Sequence, residues 1–307
     1  MRDLVVKDNA LINASYNLAL VEQRLVLLAI VEARESGKGI NANDPLTVHA
    51  ECYSHQFNVH RNTAYQALKD ACDDLFARQF SYQSINEKGN IQNHRSRWVS
   101  EIIYVENEAV VKLIFAPAII PLITKLEQHF TSYELEQVSS LSSAYAVRLY
   151  ELLISWRSTG KTPAIDLHDV RHRLGVLDSE YKRMERFKSS VLDLAIRQIN
   201  EHTDINVSYE QHKQGRIITA FSFNFKQKKI ADKKIDKLKK ETKANEPLKN
   251  TWNTAENSMF KTLQDKCPTL TKNHVEGLAK IKSLGIHELL TAMFMEHAKV
   301  DSFELKL

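Results

Sequence analysis

The side chains of this chain that could do chemistry are mostly basic, and they concentrate between Tyr181 and Phe225. At 100° per residue, Tyr181–Asn200 predicts an amphipathic helix with a wide apolar face. The opposite face carries Lys182, Arg183, Arg186, Ser189, Ser190, Asp193 and Arg197, and the pattern is broken by Glu185, Lys188 and Gln198. An outward row of Arg, Lys and Ser on a helix suits the major groove of duplex DNA.

A β-hairpin is predicted directly after this helix. Ile205–Tyr209 and Ile217–Phe225 alternate apolar and polar side chains, and the turn between them places Lys213 and Arg216 at a basic tip. Such a tip suits a phosphate strand beside the groove, so helix and hairpin together indicate a winged helix. A solvated surface helix followed by an ordinary hairpin is the alternative that fits the same stretch.

Motifs for catalysis or for metal binding are missing from the sequence. It contains no complete G-x-x-x-x-G-K-[ST] phosphate loop, no His-x-His pair of the rolling-circle nucleases and no Gly-x-Ser-x-Gly. His168 and His172 lie four residues apart and could share a helix face as metal ligands. No third ligand has a suitable spacing, and the neighbouring Arg171 and Arg173 favour a surface position. We therefore expect no cofactor, no metal and no enzymatic activity.

Length and charge set further bounds. The 307 residues allow two ordinary domains and an appendage, and the net charge is +4. Lys226–Lys249 holds ten Lys and four acidic residues, a contribution of +6, so the rest of the chain sums to −2. Overall basicity is therefore no evidence for nucleic acid. Cys52, Cys72 and Cys267 form no CxxC pair, and no stretch has the length of a membrane span. A soluble, cytoplasmic protein with reduced thiols is expected.

The same order of elements is predicted twice: strand, short helix, turn, long helix and hairpin. In the first copy these are strand Leu46–Val48, helix Ala50–Phe57, helix His60–Phe76, a hairpin of Gln79–Ile85 with Arg97–Val105, and a third strand Val110–Phe115. In the second copy they are strand Pro163–Leu167, helix His168–Leu174, helix Tyr181–Asn200 and the hairpin Ile205–Phe225. A duplicated order is stronger evidence for a winged helix than any one element.

Other elements surround these copies. A strand or extended arm is predicted at Val5–Leu11, followed by a long helix that Ser15 caps and Gly37 ends. Between the copies the predicted helices are Pro117–Leu126, Ser132–Val138 and Ala144–Trp156, the last capped by Ser143. Beyond Phe225 a Lys-rich linker leads to helical spacings at Met259–Gln264, His274–Ile281 and Ile286–His297.

The two copies differ as candidate DNA readers. On the first long helix the basic groups are confined to Arg61 and Lys69, near Asn62, whereas Asp70, Asp73 and Asp74 would repel phosphate. That helix is better suited to self-association or light backbone contact. Its hairpin carries His94, Arg95 and Arg97, which could touch a phosphate, although a solvated wing is an equal alternative.

Four separated motifs stand in order between Val5 and Phe225: SYNLALVEQRLVLLAI, SSAYAVRLYELLISW, YKRMERFKSSVLDLAIRQIN and SYEQHKQGRIITAFSFNF. In these the chain resembles the iteron-binding initiators of bacterial plasmid replication. The resemblance implies an α+β fold of tandem duplicated winged-helix domains, here with a small helical C-terminal extension. It also implies binding to repeated origin sequences (iterons) as a monomer and to the operator of the initiator gene as a dimer, without catalysis.

The resemblance further implies roles for single residues of the second copy. Arg183 and Arg186 would reach base edges, with Lys182 and Lys188 near phosphates. Ser189 stands where relatives are commonly basic, which predicts a different iteron sequence. The complete set expected to bind DNA is Lys182, Arg183, Arg186, Lys188, Ser189, Ser190, Arg197, Lys213 and Arg216, with Arg61, Asn62, Lys69, Arg95 and Arg97 from the first copy.

These expectations give a domain plan. Residues 1–138 form a winged helix for dimerisation and auxiliary DNA contact, 139–226 form the main reader, 227–250 a Lys-rich linker and 251–307 a helical appendage without an assigned role. The expected partners are origin and operator duplexes, a second copy of the chain in equilibrium with monomer, and host replication proteins such as helicase and initiator. The alternative is a dimeric winged-helix transcriptional regulator without an initiator role, and a metal-dependent nicking enzyme ranks third.

Overall fold

The computed structural model describes residues 3–38, 43–105, 107–124, 126, 129–228, 254–266, 272, 275, 287 and 290–291. The chain divides into two compact bodies, Met1–Lys234 and Ile235–Leu307. Both winged helices lie in the first body, and they are called the first and second unit below. In the second body, helix Thr254–Lys266 contains the predicted Met259–Gln264 and buries Phe260 and Leu263. The Lys-rich linker from residue 229 onward lies outside the described residues, as do most residues of the helical spacings predicted over 274–281 and 286–297.

The first winged helix and the segments around it supply the elements up to residue 154. In chain order they are β1 Leu4–Asp8, α1 Asn9–Asn13, α2 Leu20–Ser36, β2 Leu46–His49, α3 Ala50–Phe57, α4 Arg61–Ala77, β3 Gln79–Ile85, β4 Ile91–Arg97, β5 Val99–Val105, β6 Val110–Phe115, α5 Ile120–Ile123, β7 Phe130–Glu134, α6 Glu136–Ser139 and α7 Ala144–Ile154.

The second winged helix follows. Its elements are β8 Ile165–Asp166, α8 Leu167–Leu174, α9 Met184–Phe187, a π-helical segment Lys188–Leu192, α10 Asp193–His202, β9 Ile205–Gln214 and β10 Ile217–Gln227. We call the continuous run Met184–His202 the second long helix and α4 the first long helix. The hairpin β3–β4 is the first wing, and the hairpin β9–β10 is the second wing.

The strand pairing of the first unit differs from the prediction. Gln79–Ile85 pairs with Ile91–Arg97 and not with Arg97–Val105. Strand Val99–Val105 instead pairs with β6, in the three-stranded antiparallel sheet β2-β6-β5. The first wing is exposed along most of its length, so β4 lacks the apolar alternation that marks a half-buried strand.

Two further predictions fail because of long-range pairing. The predicted helix Ser132–Val138 is reduced to Glu136–Ser139, because Phe130–Glu134 pairs antiparallel with β1, from the other end of the domain. Ser15 does not cap α2, because its backbone bridges to Ser81 and the helix begins at Leu20. The predicted helix at Pro117–Leu126 and the predicted strand at Pro163–Leu167 are also shorter, at Ile120–Ile123 and Ile165–Asp166.

The second long helix starts three residues later than predicted and contains a π-helical segment. Tyr181 has a left-handed backbone with φ of 42°, and Arg183 is the residue that precedes the helix. Within the π-helical segment the N–H of Asp193 donates to the carbonyl of Lys188. Since a π turn places residues five apart on one side, Phe187 and Leu192 are both fully buried. The π-helical segment therefore explains why Lys188 breaks the predicted amphipathic pattern.

A buried ionic cluster lies on α7, between the two winged helices. Glu151 Oε1 lies 2.6 Å from Lys7 Nζ and accepts a 2.6 Å hydrogen bond from the Tyr133 hydroxyl. Glu151 Oε2 lies 3.0 Å from a terminal nitrogen of Arg148. Burial alone would raise the pKa of Glu151, but Lys7 and Arg148 hold it below its ordinary value.

Arg148 connects this cluster to both units. One terminal nitrogen donates to the carbonyls of Ile12 and Ala14, each at 2.9 Å, and to the carbonyl of Arg173 at 2.8 Å. Its guanidinium also lies 3.8 Å from the ring centroid of Tyr16. Ile12 and Ala14 belong to the N-terminal segment before the first winged helix, and Arg173 lies in the last turn of α8, so one buried side chain joins that segment to the second winged helix.

We predict that Glu151→Gln lowers the free energy of unfolding by about 3–5 kcal/mol, because Lys7 and Arg148 are left buried without a counter-charge. Urea unfolding at neutral pH measures the change. Glu35→Gln, at an exposed position of α2, is the matched control and should change stability by less than about 0.5 kcal/mol.

The same cluster predicts a pH dependence. The folded-state pKa of Glu151 is lowered, so its contribution is fully present above the unfolded-state pKa and is lost as pH falls through the folded one. Wild-type stability should therefore fall more steeply in acid than that of Glu151→Gln. Parallel acid profiles, or equal stability at neutral pH, would contradict the role of the cluster.

Candidate nucleic-acid interface

The second winged helix begins with a short, well-capped helix. Asp166 Oδ1 accepts from the N–H of His168 at 2.8 Å to start α8, and Gly175 ends it with a φ of 78°. A Cβ on Gly175 would lie 2.3 Å from the carbonyl oxygen of Tyr16, so a side chain there would collide with the backbone. The helix therefore ends in a tight turn against the segment before α2.

Arg171 holds the loop that follows this turn. Its guanidinium donates to the carbonyls of Leu177, Glu180 and Tyr181, at 3.2, 2.7 and 3.3 Å. The same group lies 5.0 Å from the ring centroid of Phe187. These contacts hold the loop against α8 and against the start of the second long helix. They thereby fix the place on the surface from which Lys182 and Arg183 project.

The predicted DNA-binding residues of the second unit lie along one exposed side of this region. Lys182 and Arg183 are exposed but precede the helix, which corrects their predicted helical placement. Arg186, Ser189 and Arg197 are exposed on the helix itself, while Lys188 and Ser190 are half-buried.

The π-helical segment is connected to the second wing. The Lys188 ammonium lies 5.9 Å from the ring centroid of Tyr209, and the Tyr209 hydroxyl donates to Asp193 Oδ1 at 2.9 Å. Burial, together with the bond to Asp193, raises the pKa of Tyr209 to about 12. Tyr209 therefore remains a neutral donor at neutral pH and fixes the wing against the helix.

The second wing carries its basic groups at the tip. Lys213 is exposed on β9, and Arg216 is exposed in the two-residue turn that begins with Gly215. The turn, predicted at Lys213–Arg216, is thus two residues long, because β9 runs to Gln214. Ile217, 71% exposed, follows directly. The tip therefore presents two cations and an apolar side chain to solvent.

The first long helix presents a different surface. Arg61 and Asn62 are exposed at its start, where the N–H of Asn62 donates to His60. Lys69 is half-buried, with its ammonium 5.4 Å from the ring centroid of Tyr104. Asp70 accepts a 2.7 Å hydrogen bond from Gln66. The predicted basic residues there are not brought together.

The two arginines of the first wing differ in their surroundings. Arg95 is exposed on β4. Arg97 donates to the carbonyl of Phe76 at 2.8 Å and lies 5.6 Å from the centroid of that ring, so it caps the end of α4. This structural use weakens its assignment as a DNA contact.

Arg171 and Tyr209 were not predicted as positioning residues, whereas the surface position of the pair His168 and His172 was predicted. Nothing in the spacing of Arg171 or Tyr209 distinguishes them from surface residues, because their partners are a loop and a helix that the fold brings close. His168 and His172 are exposed, as expected, and their rings stack at 5.4 Å. Within the described residues no three His, Cys, Asp or Glu side chains group as a metal site, and no helix is long and apolar enough to cross a membrane.

We predict that Arg171→Lys speeds amide hydrogen exchange in residues 177–183 about tenfold, equivalent to about 1.4 kcal/mol of local stability. Lysine keeps the charge but lacks the planar fork that reaches three carbonyls. Arg186→Lys, the same change at an exposed position, is the control and should leave the exchange of this loop unchanged. Equal exchange in both variants would remove Arg171 from this role.

Known proteins share the sequence features of both winged helices. Residues 4–154 match the family described as Initiator Replication protein, WH1, and residues 166–225 match that described as Initiator Rep protein, WH2. A replication initiation protein of Escherichia coli is 24% identical over 315 residues, covering 100% of this chain and 89% of the relative. An uncharacterized 27.6 kDa protein of Escherichia coli is 27% identical over 225 residues, covering 70% and 92%.

Solved structures include similar chains. The Pi initiator protein, crystallised in complex with iteron DNA, is 22% identical with a TM-score of 0.60, covering 74% of this chain and 98% of that one. The MSBI1.176 WH1 domain, of a replication protein isolated from a multiple sclerosis patient, is 73% identical with a TM-score of 0.34, covering 42% and 97%. The expected α+β fold with two winged helices is confirmed. The chain belongs to the family of initiator replication proteins built from tandem WH1 and WH2 winged-helix domains.

Proposed function

We propose that this protein initiates plasmid replication by binding repeated origin sequences, the iterons, as duplex DNA. The observation that carries the proposal is the exposed row of Arg183, Arg186, Ser189 and Arg197 beside a wing tip with Lys213 and Arg216. The similar Pi initiator protein was crystallised in complex with iteron DNA, which supports this class of ligand.

The geometry of the second long helix suits base reading at its N-terminal end. In helix-turn-helix proteins the first residues of the reading helix contact base edges in the major groove. Arg183, directly before the helix, and Arg186, in its first turn, occupy those positions. A bidentate arginine–guanine pair discriminates against a wrong base by about 1–3 kcal/mol. These two arginines are therefore the proposed base readers.

Phosphate contacts set register and affinity. Lys182, Lys213 and Arg216 are exposed around the helix, and we assign them to phosphates with Lys188. Ser189, Ser190 and Arg197 complete the proposed surface. Two winged helices on successive grooves would cover about 20 base pairs. The proposed auxiliary contacts of the first unit are Arg61, Asn62, Lys69, Arg95 and, more weakly, Arg97.

Residues 1–138 are proposed as the dimerisation unit and residues 139–226 as the main reader. In the described sheet β2-β6-β5, strand β5 lies at the edge, and its Ile103 is 39% exposed. An edge strand with an exposed apolar side chain can pair with a second copy. We propose that monomers bind iterons, that dimers bind the operator of the initiator gene, and that host helicase and initiator are recruited. Residues 227–250 are proposed as linker.

The same edge strand favours a second candidate, a dimeric winged-helix transcriptional regulator. Such a protein would prefer a single inverted repeat, because a two-fold symmetric dimer matches a palindrome. The initiator would prefer an asymmetric site that recurs in direct repeats. Sedimentation over a range of concentrations distinguishes a stable dimer from a dimer in equilibrium with monomer.

Selection of bound duplexes from a random pool, at near-physiological salt, tests the proposal. We expect one asymmetric motif of about two helical turns. A palindrome alone would favour the regulator, and no enrichment would contradict both candidates.

We predict that Arg186→Ala lowers affinity for the selected site about 10- to 100-fold, while affinity for random duplexes falls little, because base contacts carry sequence information. Fluorescence anisotropy with both duplexes measures the ratio. Arg34→Ala, an exposed arginine at the end of α2, is the control. Equal losses on both duplexes would exclude Arg186 from base reading.

We predict that Lys213→Ala weakens binding to selected and random duplexes by the same factor. One phosphate contact is lost, so the slope of log affinity against log salt should fall by about one. A salt titration at constant temperature provides the measurement, with Lys161→Ala as an exposed lysine outside the wing tip. An unchanged slope would argue against a phosphate contact at the tip.

A further inference from the structure

A cleft of about 580 Å³ lies where the two winged helices meet. One wall is the first wing, which contributes His94 and Arg95, and the opposite wall is α8, which contributes His168 and His172. Residues 13–19, which lead from α1 to α2, are called the connecting segment, and its Asn13 and Ser15 also line the cleft. The cleft is thus formed by elements from both units.

The charges in the cleft favour an anion. Asp169 is the one acid among the described residues that line it, and its carboxylate lies 3.9 Å from Arg173 and 3.8 Å from His168 Nδ1. Arg95 and His172 are exposed, and no described side chain forms an ion pair with either of them. After Asp169 is compensated, the cleft therefore presents donors and positive charge.

Ring stacking orients the donors on both walls. The His94 ring stacks on Tyr82 at 4.4 Å with an interplanar angle of 8°, and its Nε2 lies 2.8 Å from Ser84 Oγ. The rings of His168 and His172 stack with an interplanar angle of 21°. Because imidazole N–H groups lie in the ring plane, stacking directs them along the ring edges.

The two walls are held through residues 12–17, which bridge to the first wing at Ser15–Ser81 and hydrogen-bond to α8. Arg173 donates to Asn13 Oδ1 at 3.0 Å, and Asn17 donates to the carbonyl of Gly175 at 2.7 Å. Arg148 adds its buried bonds to Ile12, Ala14 and Arg173. The two walls are therefore preorganised, which reduces the ordering cost of binding.

We propose that this cleft binds the phosphodiester backbone of the duplex between the stretches read by the two winged helices. The proposal rests on the proposed function. In helix-turn-helix proteins the first helix crosses the DNA backbone, and α8 is that helix here. The other wall is the first wing. A wing, like the first helix of a helix-turn-helix, is suited to contact a phosphate strand. Arg95, His94, His168 and His172 are thus assigned as further phosphate contacts.

A free phosphate has the same chemistry as a backbone phosphate. The open cleft spans two units, and each supplies an element suited to lie along DNA, which favours the polymer over a small anion. The experiment must nevertheless distinguish the two sources.

Arg95→Ala/His172→Ala in the full chain tests the proposal, because both side chains are exposed and their removal leaves the core intact. With the duplex selected above, we expect affinity to fall roughly tenfold on selected and random sequences alike, and the salt slope to fall by about one to two. Arg34→Ala is the matched control. Circular dichroism verifies that the variants are folded.

A second arm locates the contact on the DNA. Neutral methylphosphonate linkages are introduced one at a time across the duplex. We expect linkages at the centre to weaken wild-type binding and to leave the binding of the double variant unchanged. Sensitivity of the double variant equal to that of the wild type would overturn the proposal, while specific loss in Arg186→Ala would leave the proposed function standing.

A third arm uses inorganic phosphate. If it protects the wild type and not the double variant against thermal unfolding, while both bind DNA equally, the cleft is a site for a free anion and the proposal is wrong. Equal thermal behaviour together with the expected loss of DNA affinity supports backbone binding. Failure of the wild type to bind any duplex would remove both the proposed function and this inference.

Discussion

The Arg148 side chain, 1% exposed, lies among carbonyl oxygens of the N-terminal segment and of α8, and its burial constrains how these two parts pack. Removing Arg148 from water is costly unless its donors are all used, and the fold uses them on Ile12, Ala14 and Arg173 as well as on Glu151. Those carbonyls are available only when the N-terminal segment lies against the end of α8. The charge therefore defines one relative placement of the two units.

The close approach at Gly175 follows from the same constraint. The carbonyl of Tyr16 occupies the space that a side chain would fill, so the turn after α8 packs directly on the connecting segment. Arg171 then ties the next loop to α8, and Tyr209 ties the second wing to the second long helix. A chain of positioning contacts thus runs from the buried cluster to the exposed arginines. In the proposed function, this rigidity would fix the spacing of the two half-sites.

Local signals in the sequence predicted the elements that local physics determines. Gly175 ends α8 as predicted, and Ser143 accepts from the N–H of Ala146 at the start of α7, because capping depends on neighbours a few residues away. Pairing of β1 with Phe130–Glu134 depends on residues far apart in sequence, and a charged Lys7 in β1 gives no sign that it will be buried beside Glu151. The burial of Lys7 beside Glu151 could therefore not be predicted from the sequence.

The candidate interface shows the same difference between local signals, which were predictable, and long-range contacts, which were not. Exposed cations such as Arg186 and Lys213 were predictable, since an amphipathic pattern already separates solvent from core. Their supports were not, because Arg171 binds backbone carbonyls of a loop that shows no pattern. The two units also differ in kind. Asp70 and its acidic neighbours lie on the first long helix, whereas the second has arginines at its start, so positive charge concentrates on the second unit. In the proposed function this makes one strong and one weak reader, which fits an asymmetric site better than a palindrome and favours the initiator over the regulator.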